Sequence, residues 1–445
     1  MFEMKFPDGI GEMMEKLEES GFSAHLVGGC VRDAVMGITP HDYDITTNAR
    51  PHQIIEIFGE NHCSEYGRAF GTVGVKCGGA FAEITTYRTE KDYSDGRHPD
   101  TVEFADALAD DLERRDFTWN AMAYSPKTGL FDPFDGRHDL QNGVLRCVGT
   151  AQARFHEDAL RILRGLRFCA RFGFTPEPLT AAAMRAGAFR LEMISAERVF
   201  SELCGMLMGE HVTQVLLEFP EVLSVRIPEI SPCIAFSQHS RHHDFTVWEH
   251  TAYAVGKAPV ELPVRLSMLL HDIGKPVCFS MDERGGHFKG HAEVSSAMAD
   301  AILRRLKCDN RMRELVTKLV ILHRDIPDSI IGVRKLLGEL SYAEFMQFLE
   351  VLRADNAAKL RNGMEEASAE KIRKAAEYAE ICRNNGICCR ISELSVNGSD
   401  LISLGLQGKE IGNALRFLLD AVISERCDNK KEDLLLFLAE NKIVL

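Results

Sequence analysis

The sequence lacks an uncharged apolar segment long enough to cross a membrane. None of its hydrophobic runs reaches the roughly 18 residues that a bilayer-spanning helix requires. A signal-like beginning is also absent, since residues 1–20 are acidic and amphipathic. We therefore expect a cytoplasmic protein that has no membrane partner.

Cysteine pairs with metal-binding spacing are missing too. No Cys-x-x-Cys occurs, so the sequence does not indicate a zinc knuckle. The 13 cysteines are scattered along 445 residues, and two of them, Cys388 and Cys389, are adjacent. This distribution favours reduced thiols over a disulfide framework.

The chain has no excess of positive charge. Its formal net charge of −14 argues against a protein that coats nucleic acid by bulk electrostatics, because that mode needs clustered Lys and Arg. A local exception runs from Arg154 to Arg171, where five arginines and two acidic residues leave a balance of +3. Any phosphate-binding surface is therefore expected to be local.

The apolar residues suffice for more than one core. A chain of 445 residues that is 45% hydrophobic predicts two to four globular domains. Short β-like runs alternate with helical ones in residues 1–145, which indicates a mixed sheet with helices. From residue 146 onward apolar residues recur at helical spacing between proline-containing breaks. The predicted fold class is α+β, with an all-α second part.

Two aspartates separated by one tyrosine end the segment LVGGCVRDAVMGITPHDYDITT, residues 26–47. If they lie in a strand, Asp42 and Asp44 point to the same face and bring two carboxylates within a few ångströms. Hard divalent cations such as Mg²⁺ relieve the repulsion of such a pair. A solvated Asp-x-Asp turn is the alternative interpretation.

A glycine pair opens the same segment. Gly28 and Gly29 let backbone amides approach a phosphate closely, and Arg32 provides a positive charge near it. A phosphate-binding turn beside a two-carboxylate metal site predicts phosphoryl or nucleotidyl transfer with two metal ions.

This segment resembles the nucleotidyltransferase signature of the class II tRNA nucleotidyltransferase and poly(A) polymerase family. The resemblance continues through RRDFTWNAMAY (114–124), FDPFDGRHDLQNGVLRCVG (131–149) and EDALRILRGLRFCARF (157–172). It implies that Asp42 and Asp44 are catalytic and bind Mg²⁺. The residues that it implies for binding the incoming nucleotide are Gly29, Arg32, Arg115, Asp158, Arg161, Arg164 and Arg167.

The last of these motifs suggests how the protein selects a base. In a helix, Asp158 and Arg161 would share a face, and an aspartate accepts hydrogen bonds whereas an arginine donates them. Cytosine and adenine both present an amine beside an acceptor nitrogen, which an acceptor and a donor complement. Uracil and guanine present the reverse, a carbonyl beside an N–H. The pair Asp158 and Arg161 would therefore accept CTP and ATP alone. The alternative is an ordinary intrahelical salt bridge.

Other residues of these motifs are weaker candidates. The arginines at 161, 164, 167 and 171 form a slanting stripe that could hold a triphosphate or the tRNA end. Asp116 and Asn120 are candidates for ribose contact or for support of the site. Glu83 is a candidate third carboxylate beside the metals, with an ion pair to Arg88 as the alternative.

The polar segment 87–104 resembles the flexible loop of complete CCA-adding and A-adding enzymes, which disfavours an enzyme that adds only CC. The stretch YGRAFGTVGV (66–75) lacks the Arg-Arg-Phe element seen in many poly(A) polymerases, and the C-terminus is not strongly basic. The resemblance therefore implies addition of CCA to tRNA 3′ ends from CTP and ATP. An A-adding enzyme and a poly(A) polymerase stay as alternatives.

Histidine and aspartate recur further along the chain, in WEHT, LLHDIGKP, KGHAEVS, ILHRD and LRADNAAK. This series resembles the HD phosphohydrolase domain, which implies phosphate-ester hydrolysis with a divalent ion such as Mn, Fe, Ni or Mg. The implied core ligands are His250, His271, Asp272 and Asp355, and His291 and His323 would complete a second metal site. Two alternatives stay open. In one, these helices only bind tRNA; in the other, the protein is a hydrolase whose head binds RNA.

These motifs divide the chain into four expected regions. They are a nucleotidyltransferase head (1–145), a helical neck (146–240), an HD domain (241–360) and a helical tail (361–445). The oligomeric state is left open by the sequence.

Overall fold

A computed structural model of the chain describes residues 2–64, 71–91, 101–238, 245–283, 285–359 and 366–441. The chain forms two compact units, Met1–Ser231 and Pro232–Leu445. The first contains the predicted head and most of the predicted neck. The second contains the rest, and the finer boundaries inside each unit stay predictions.

A seven-stranded mixed sheet forms the start of the first unit. Its strands are β1 Ala24–Val27, β2 Asp44–Thr47, β3 Cys63–Ser64, β4 Thr72–Cys77, β5 Ala80–Thr86, β8 Ala123–Ser125 and β9 Gly129–Phe131. Their order across the sheet is β3-β4-β5-β2-β1-β8-β9. Strand β2 is antiparallel to β1 and parallel to β5, so the strand that carries Asp44 lies in the middle of the sheet.

Burial alternates along the strands, as the sequence pattern predicts. In β5, Ala82 and Ile84 are buried, whereas Phe81 and Glu83 are exposed. One face of the sheet therefore packs against helices and the other carries polar groups. Three smaller pairs accompany the sheet: β6 Arg88–Lys91 with β7 Thr101–Phe104, β10 Val144–Leu145 with β11 Thr175–Pro176, and β12 Ser280–Asp282 with β13 Gly285–His287.

Eleven α-helices complete the described part of the first unit. They are α1 Asp8–Glu19, α2 Gly29–Val35, α3 Pro51–Phe58, α4 Leu108–Glu113, α5 Gly136–Gln141, α6 Ala151–Glu157, α7 Leu160–Phe172, α8 Pro178–Gly187, α9 Ala196–Leu207, α10 Val212–Glu218 and α11 Pro220–Ser224. Helix α7 buries Ile162, Leu166 and Phe168 and packs against α9. This amphipathic pattern is the one that predicted helices after residue 146.

The second unit is helical apart from the hairpin β12–β13 in its described residues. Its helices are α12 Val247–Lys257, α13 Leu262–Leu270, α14 His291–Arg305, α15 Asn310–Leu322, α16 Ile330–Glu339, α17 Tyr342–Ala358, α18 Glu366–Asn384, α19 Gly398–Ser403, α20 Lys409–Ile423 and α21 Lys431–Glu440. Thr246 and Ser341 cap α12 and α17 with reciprocal bonds to Glu249 and Glu344. The predicted α+β fold class is confirmed.

No helix among the described residues is both long and apolar enough to span a bilayer. Part of the predicted flexible loop, residues 92–100 with Gly96 and Pro99, falls outside the described residues. Residues 66–70 of the segment compared with poly(A) polymerases do so as well.

Candidate functional site

Three carboxylates meet at the start of β2. Asp44 is in register with Glu83 on the neighbouring parallel strand, so both side chains project from the same face. The sequence had suggested that Asp42 and Asp44 lie in one strand. Strand β2 begins at Asp44, however, and Asp42 lies in the bend before it. Desolvation raises the pKa of Asp44, Arg115 opposes that effect, and the charges of Glu83 and Asp42 add to it. This arrangement is suited to a divalent cation.

The glycine turn encloses the same space. Gly28 has a φ of +72°, which favours glycine, and a Cβ placed on it would lie 3.0 Å from Nη1 of Arg115. The same Cβ would lie 3.8 Å from Oδ2 of Asp44. Gly29 follows as the first residue of α2. The turn, the metal-site carboxylate and Arg115 are therefore close neighbours.

Arg115 is held by Asp111, a residue that sequence analysis missed. The Asp111 carboxylate is fully buried and accepts hydrogen bonds from Arg115 Nη2 at 3.2 Å, Arg114 Nη2 at 2.7 Å and Thr46 Oγ1 at 3.2 Å. Burial raises the pKa of Asp111, but the two arginines outweigh burial and lower it. The spacing of four residues between Asp111 and Arg115 was the available signal, since it places them on one helical face.

Arg32 is buried beside the glycine turn. Its guanidinium donates to Asp33 at 2.7 Å and to Asn120 at 3.1 Å, and burial lowers its pKa. Three aromatic rings surround it at 5.2–5.7 Å from their centroids: Trp119, Phe168 and Phe172. The side chain is therefore fixed in place, with Nη2 3.7 Å from a Cβ placed on Gly29.

Asp116 links the second motif to the arginine stripe. It accepts two hydrogen bonds from Arg164, at 3.0 and 2.9 Å, and one from Asn120 at 2.9 Å. Burial alone would raise the pKa of Asp116, but Arg164, Asn120 and Arg161 together lower it to about 2. These bonds connect Asp116 to Arg164 and, through Asn120, to Arg32.

The prediction that Asp158 and Arg161 share a helical face is wrong. Helix α6 ends at Glu157 and α7 begins at Leu160, so Asp158 lies in an extended link with φ of −138°. Its carboxylate pairs with Arg198 at 3.1 Å, and Arg161 pairs with Glu157 at 2.8 Å. Asp158 bonds the amide of Leu160 in this link, which is a local alternative to a helical conformation.

The arginine stripe is largely paired with acids. Arg154 and Arg161 both contact Glu157. Arg164 pairs with Asp116, and Arg167 pairs with Glu202 at 2.6 Å. Both acids lie outside residues 154–171. Arg171 has no ion pair within the described residues and lies against the Phe172 ring. The excess positive charge of this window is therefore smaller than its sequence suggests.

A second cluster of ionisable groups lies in the second unit. His250 Nε2 is 3.1 Å from both His271 Nε2 and Asp355 Oδ1. His271 Nε2 is also 3.1 Å from Asp272 Oδ2. All four residues are buried, and helices α12, α13 and α17 supply or directly precede them. The structure thus brings together every core ligand that the HD resemblance implied.

Asp272 is shared with a second set of ligands. Its other oxygen, Oδ1, lies 3.3 Å from His291 Nε2 and 3.7 Å from His323 Nε2. The ligand atoms of His250, His271 and Asp272 lie within 4.8 Å of one another, and so do those of Asp272, His291 and His323. The two sets have the side-chain types and spacing for two metal ions with Asp272 between them.

The hydrogen bonds of the four histidines orient their rings for metal binding. Each Nδ1 lies 2.6–3.2 Å from a backbone carbonyl, that of Ala358, Met268, Phe288 or Val320. A carbonyl only accepts, so Nδ1 carries the proton of that hydrogen bond, and each ring turns its Nε2 toward the cluster. Imidazole nitrogens and carboxylate oxygens that face one another at 3.1–3.7 Å repel unless a proton or a metal cation lies between them.

The electrostatics of this cluster favour a positive charge. Burial lowers the pKa of His271, but Asp272 and Asp355 overcome that effect and raise it to about 9. The cluster opens into a cavity of about 520 Å³ that is also lined by Lys275, Lys359 and Arg324. Lys275 Nζ lies 2.6 Å from Asp272 and Lys359 Nζ lies 2.9 Å from Asp355. The cavity is therefore lined both by candidate metal ligands and by cationic side chains.

Three family models match parts of the chain. Residues 24–146 match the Poly A polymerase head domain, and residues 173–222 match the probable RNA and SrmB-binding site of polymerase A. Residues 288–438 match the putative tRNA nucleotidyltransferase domain 2. Together these segments extend over both units.

A relative aligns along nearly the whole chain. The CCA-adding enzyme of Lactiplantibacillus plantarum is 31% identical over 428 residues, which cover 96% of this chain and 94% of that protein. The chain belongs to the CCA-adding enzyme family. The CCA-adding enzyme of Ligilactobacillus salivarius is 44% identical over 207 residues, which cover 46% of this chain and 51% of that protein.

A solved structure supports the same assignment. The crystal structure of the Bacillus stearothermophilus CCA-adding enzyme in complex with CTP is 28% identical, with a TM-score of 0.71. The match covers 97% of this chain and 96% of that one. The CCA-adding family predicted from the four sequence motifs is confirmed.

Proposed function

We propose that this protein adds CCA to the 3′ ends of tRNA, taking CTP and ATP as substrates without a nucleic-acid template. The observation that supports this most directly is the meeting of Asp44, Glu83, Arg115 and the Gly28 turn at the start of β2. A triphosphate needs a glycine turn and a cation, and a metal needs grouped carboxylates. The CCA-adding relatives give the chemistry for which such a site is used.

In this reaction the terminal ribose hydroxyl of the tRNA attacks the α-phosphate of the nucleotide, and pyrophosphate leaves. Asp42 and Asp44 would hold Mg²⁺, which supplies activation of the hydroxyl and stabilisation of the leaving group. Arg115, fixed by Asp111, is placed to donate to phosphate oxygens above the Gly28 turn. Arg32 is anchored next to Gly29 of that turn by its hydrogen bond to Asn120.

Base selection would depend on Asp158 and the arginines of α7. The Asp158 carboxylate accepts from the exocyclic amine of cytosine or adenine, and Arg161 donates to the adjacent ring nitrogen. In the structure Arg161 is bonded to Glu157, so it would have to change partners when the nucleotide enters. Arg164 and Arg167 would contribute to nucleotide binding from the same helix.

Replacement of Asp42 tests the metal role. Asp42→Ala should abolish CTP incorporation and leave tRNA binding, measured by filter retention, largely unchanged. Asp8→Ala, which removes an exposed carboxylate from α1, is the matched control. Turnover that persists in Asp42→Ala would exclude this carboxylate as an essential metal ligand.

Transcripts with different 3′ ends separate full CCA addition from the alternatives. The protein should extend tRNA that ends at the discriminator base, in -C and in -CC, and should stop after the terminal A. An A-adding enzyme would extend only the -CC transcript, and a poly(A) polymerase would add a long A tract.

A second activity, metal-dependent phosphate-ester hydrolysis, is proposed for the His-Asp cluster. Its support is the convergence of four Nε2 atoms on Asp272 and Asp355 under a cavity with cationic side chains. A divalent ion such as Mn, Ni, Fe or Mg would supply a hydroxide nucleophile from bound water. Lys275, Lys359 and Arg324 would draw the phosphate group toward the cluster.

Two variants assign the two activities to their sites. His271→Ala should abolish hydrolysis of a generic phosphate ester and preserve CCA addition. Asp42→Ala should have the opposite effect. If both variants lost only the transferase, the cluster would have no hydrolytic role.

A further inference from the structure

The turn that follows α13 packs against α14 at a glycine. Gly274, two residues after Asp272, donates its backbone N–H to Oγ of Ser295 at 3.0 Å. A Cβ placed on Gly274 would lie 2.8 Å from the backbone nitrogen of Ser295 and 3.0 Å from Cγ1 of Val294. Contacts this short force a displacement, so a side chain at position 274 would push α14 away from the turn. Glycine permits the close approach of the two backbones.

Ser295 lies on the face of α14 that carries His291. The two positions are four residues apart, so they lie about one turn, or about 6 Å, from each other along the helix axis. Both residues are buried. His291 Nε2 lies 3.3 Å from Oδ1 of Asp272. The turn and α14 therefore meet twice, once through Ser295 at the backbone and once through His291 at the proposed metal ligands.

The second ligand set depends on this contact more than the first set does. The first set comes from α12, from the residues directly after α13 and from α17, and these three helices pack against one another. In the second set, His323 follows α15, which packs against α13 as well as α14, whereas His291 belongs to α14. A displacement of α14 would therefore move His291 away from Asp272 and leave the first set in place.

We propose that Gly274 and Ser295 are positioning residues that hold α14 at the distance from Asp272 at which the ligands of the second ion assemble. This inference rests on the two-ion cluster proposed above for phosphate-ester hydrolysis. Gly274 and Ser295 belong to neither ligand set and act through His291. Their loss weakens binding of the second ion and leaves binding of the first unchanged.

The test is a Mn²⁺ titration of the full chain in an Asp42→Ala background, which removes a ligand of the proposed metal site in the first unit. The electron paramagnetic resonance signal of the free ion gives the dissociation constant of each bound ion. Ser295→Ala removes the acceptor for the Gly274 N–H. It should weaken binding of the second ion by about 10- to 100-fold, as losses of groups that orient metal ligands do.

Gly274→Ala reaches the same contact from the other side. It keeps the Ser295 hydroxyl but places a Cβ where the backbone of α14 lies, so the helix must shift. This variant should also weaken binding of the second ion and leave the first dissociation constant unchanged. Because the two variants change different parts of the contact, poor folding of one leaves the other as the test.

Ser296→Ala is the matched control. The Ser296 hydroxyl, on the next residue of α14, donates to the backbone carbonyl of Thr317 at 2.9 Å. Ser295→Ala and Ser296→Ala should lower the melting temperature to a similar extent, because each loses one hydrogen bond of the same helix. Only Ser295→Ala should change the second dissociation constant. Equal weakening in Ser295→Ala and Ser296→Ala would overturn the positioning role.

The Asp42→Ala parent separates this inference from the proposed function. If the parent binds two ions, and Ser295→Ala and Gly274→Ala bind both as tightly, only the positioning role fails. If the parent itself binds fewer than two ions, the proposed two-ion cluster fails first and the positioning role fails with it.

Discussion

Glu83 lies directly across from Asp44 on the parallel strand β5, and both carboxylates are exposed on the same face of the sheet. Neighbouring strands are about 4.8 Å apart, so one cation can contact both side chains. Glu83 also contributes to the raised pKa of Asp44. We therefore propose Glu83 as a third carboxylate of the metal site.

Glu83→Gln should decrease CTP incorporation by roughly 10- to 100-fold, as losses of groups that orient a bound metal do. The defect should be smaller at high Mg²⁺, because a weakened site can still be filled by mass action. A Mg²⁺ titration of the initial rate is the measurement, with exposed Glu56→Gln as the control. A parallel fall at all Mg²⁺ concentrations would contradict a metal role for Glu83.

Gly28→Ala should impair nucleotide binding beyond its effect on stability. The positive φ makes any Cβ cost roughly 1–3 kcal/mol, and here the Cβ also meets Arg115 Nη1 at 3.0 Å. Gly21→Ala is the matched control, because Gly21 has a φ of +86° and no heavy atom within 4 Å of its Cβ position.

Thermal melting and KM for CTP distinguish the two effects. Both alanine variants should melt at a lower temperature, and only Gly28→Ala should raise KM. An unchanged KM in Gly28→Ala would show that the turn and Arg115 do not jointly contact the nucleotide.

The sequence predicted local relationships better than those between distant elements. The glycine turn and the helices after residue 146 follow from spacing over a few residues. The argument that Asp42 and Asp44 share a strand face was wrong, because Asp42 precedes the strand. The register of Asp44 with Glu83 depends on non-local strand pairing, which spacing does not determine. Asp158 was misassigned because its side chain caps the amide of Leu160 and breaks the helix that the apolar pattern suggested.

The partners of the charged residues were the least predictable feature. Asp111, Arg198 and Glu202 lie outside the sequence motifs that suggested the site, and the contacts of Arg198 and Glu202 depend on tertiary packing. The His-Asp cluster was suggested by the order of histidine and aspartate residues along the sequence. The sequence could not predict that both ligand sets share the Asp272 carboxylate, because this depends on the packing of α14 against α13.

The shared position of Asp272 makes metal stoichiometry a direct test of the cluster. In an Asp42→Ala background, which removes a ligand of the proposed metal site in the first unit, the full chain should retain two ions after dialysis against Mn²⁺, one for each ligand set. His291→Ala removes a ligand from one set and should retain about one ion, whereas Asp272→Ala should lose both because it belongs to both sets. Elemental analysis of the dialysed protein measures these ratios.

His287→Ala is the control for this experiment, since His287 lines the same cavity but is exposed and belongs to neither set. It should retain both ions. One ion in the Asp42→Ala background, or full occupancy when Asp272→Ala is added to it, would exclude a shared carboxylate.

The ion pair between Asp116 and Arg164 should make the first unit sensitive to acid. The folded protein lowers the pKa of Asp116 from an ordinary value of 3.8 to about 2. A lowered pKa stabilises the folded state above the ordinary value, and the contribution disappears as pH falls from about 4 to about 2. The full contribution is about 2 kcal/mol, at 1.36 kcal/mol for each pKa unit, and about half of it remains at pH 3.

Urea unfolding of wild type and Asp116→Asn at pH 5 and pH 3 measures this contribution. The chain has two tryptophans, so a Trp248→Phe background leaves Trp119, buried beside Phe168, as the reporter of the first unit. The difference in unfolding free energy between the two proteins should shrink by about 1 kcal/mol from pH 5 to pH 3. Arg164→Met should reduce this pH dependence, because it removes the charge that contributes most to lowering the pKa of Asp116. If the difference were the same at both pH values, the ion pair would not stabilise the ionised carboxylate, and the fixed orientation of Arg164 would need another cause.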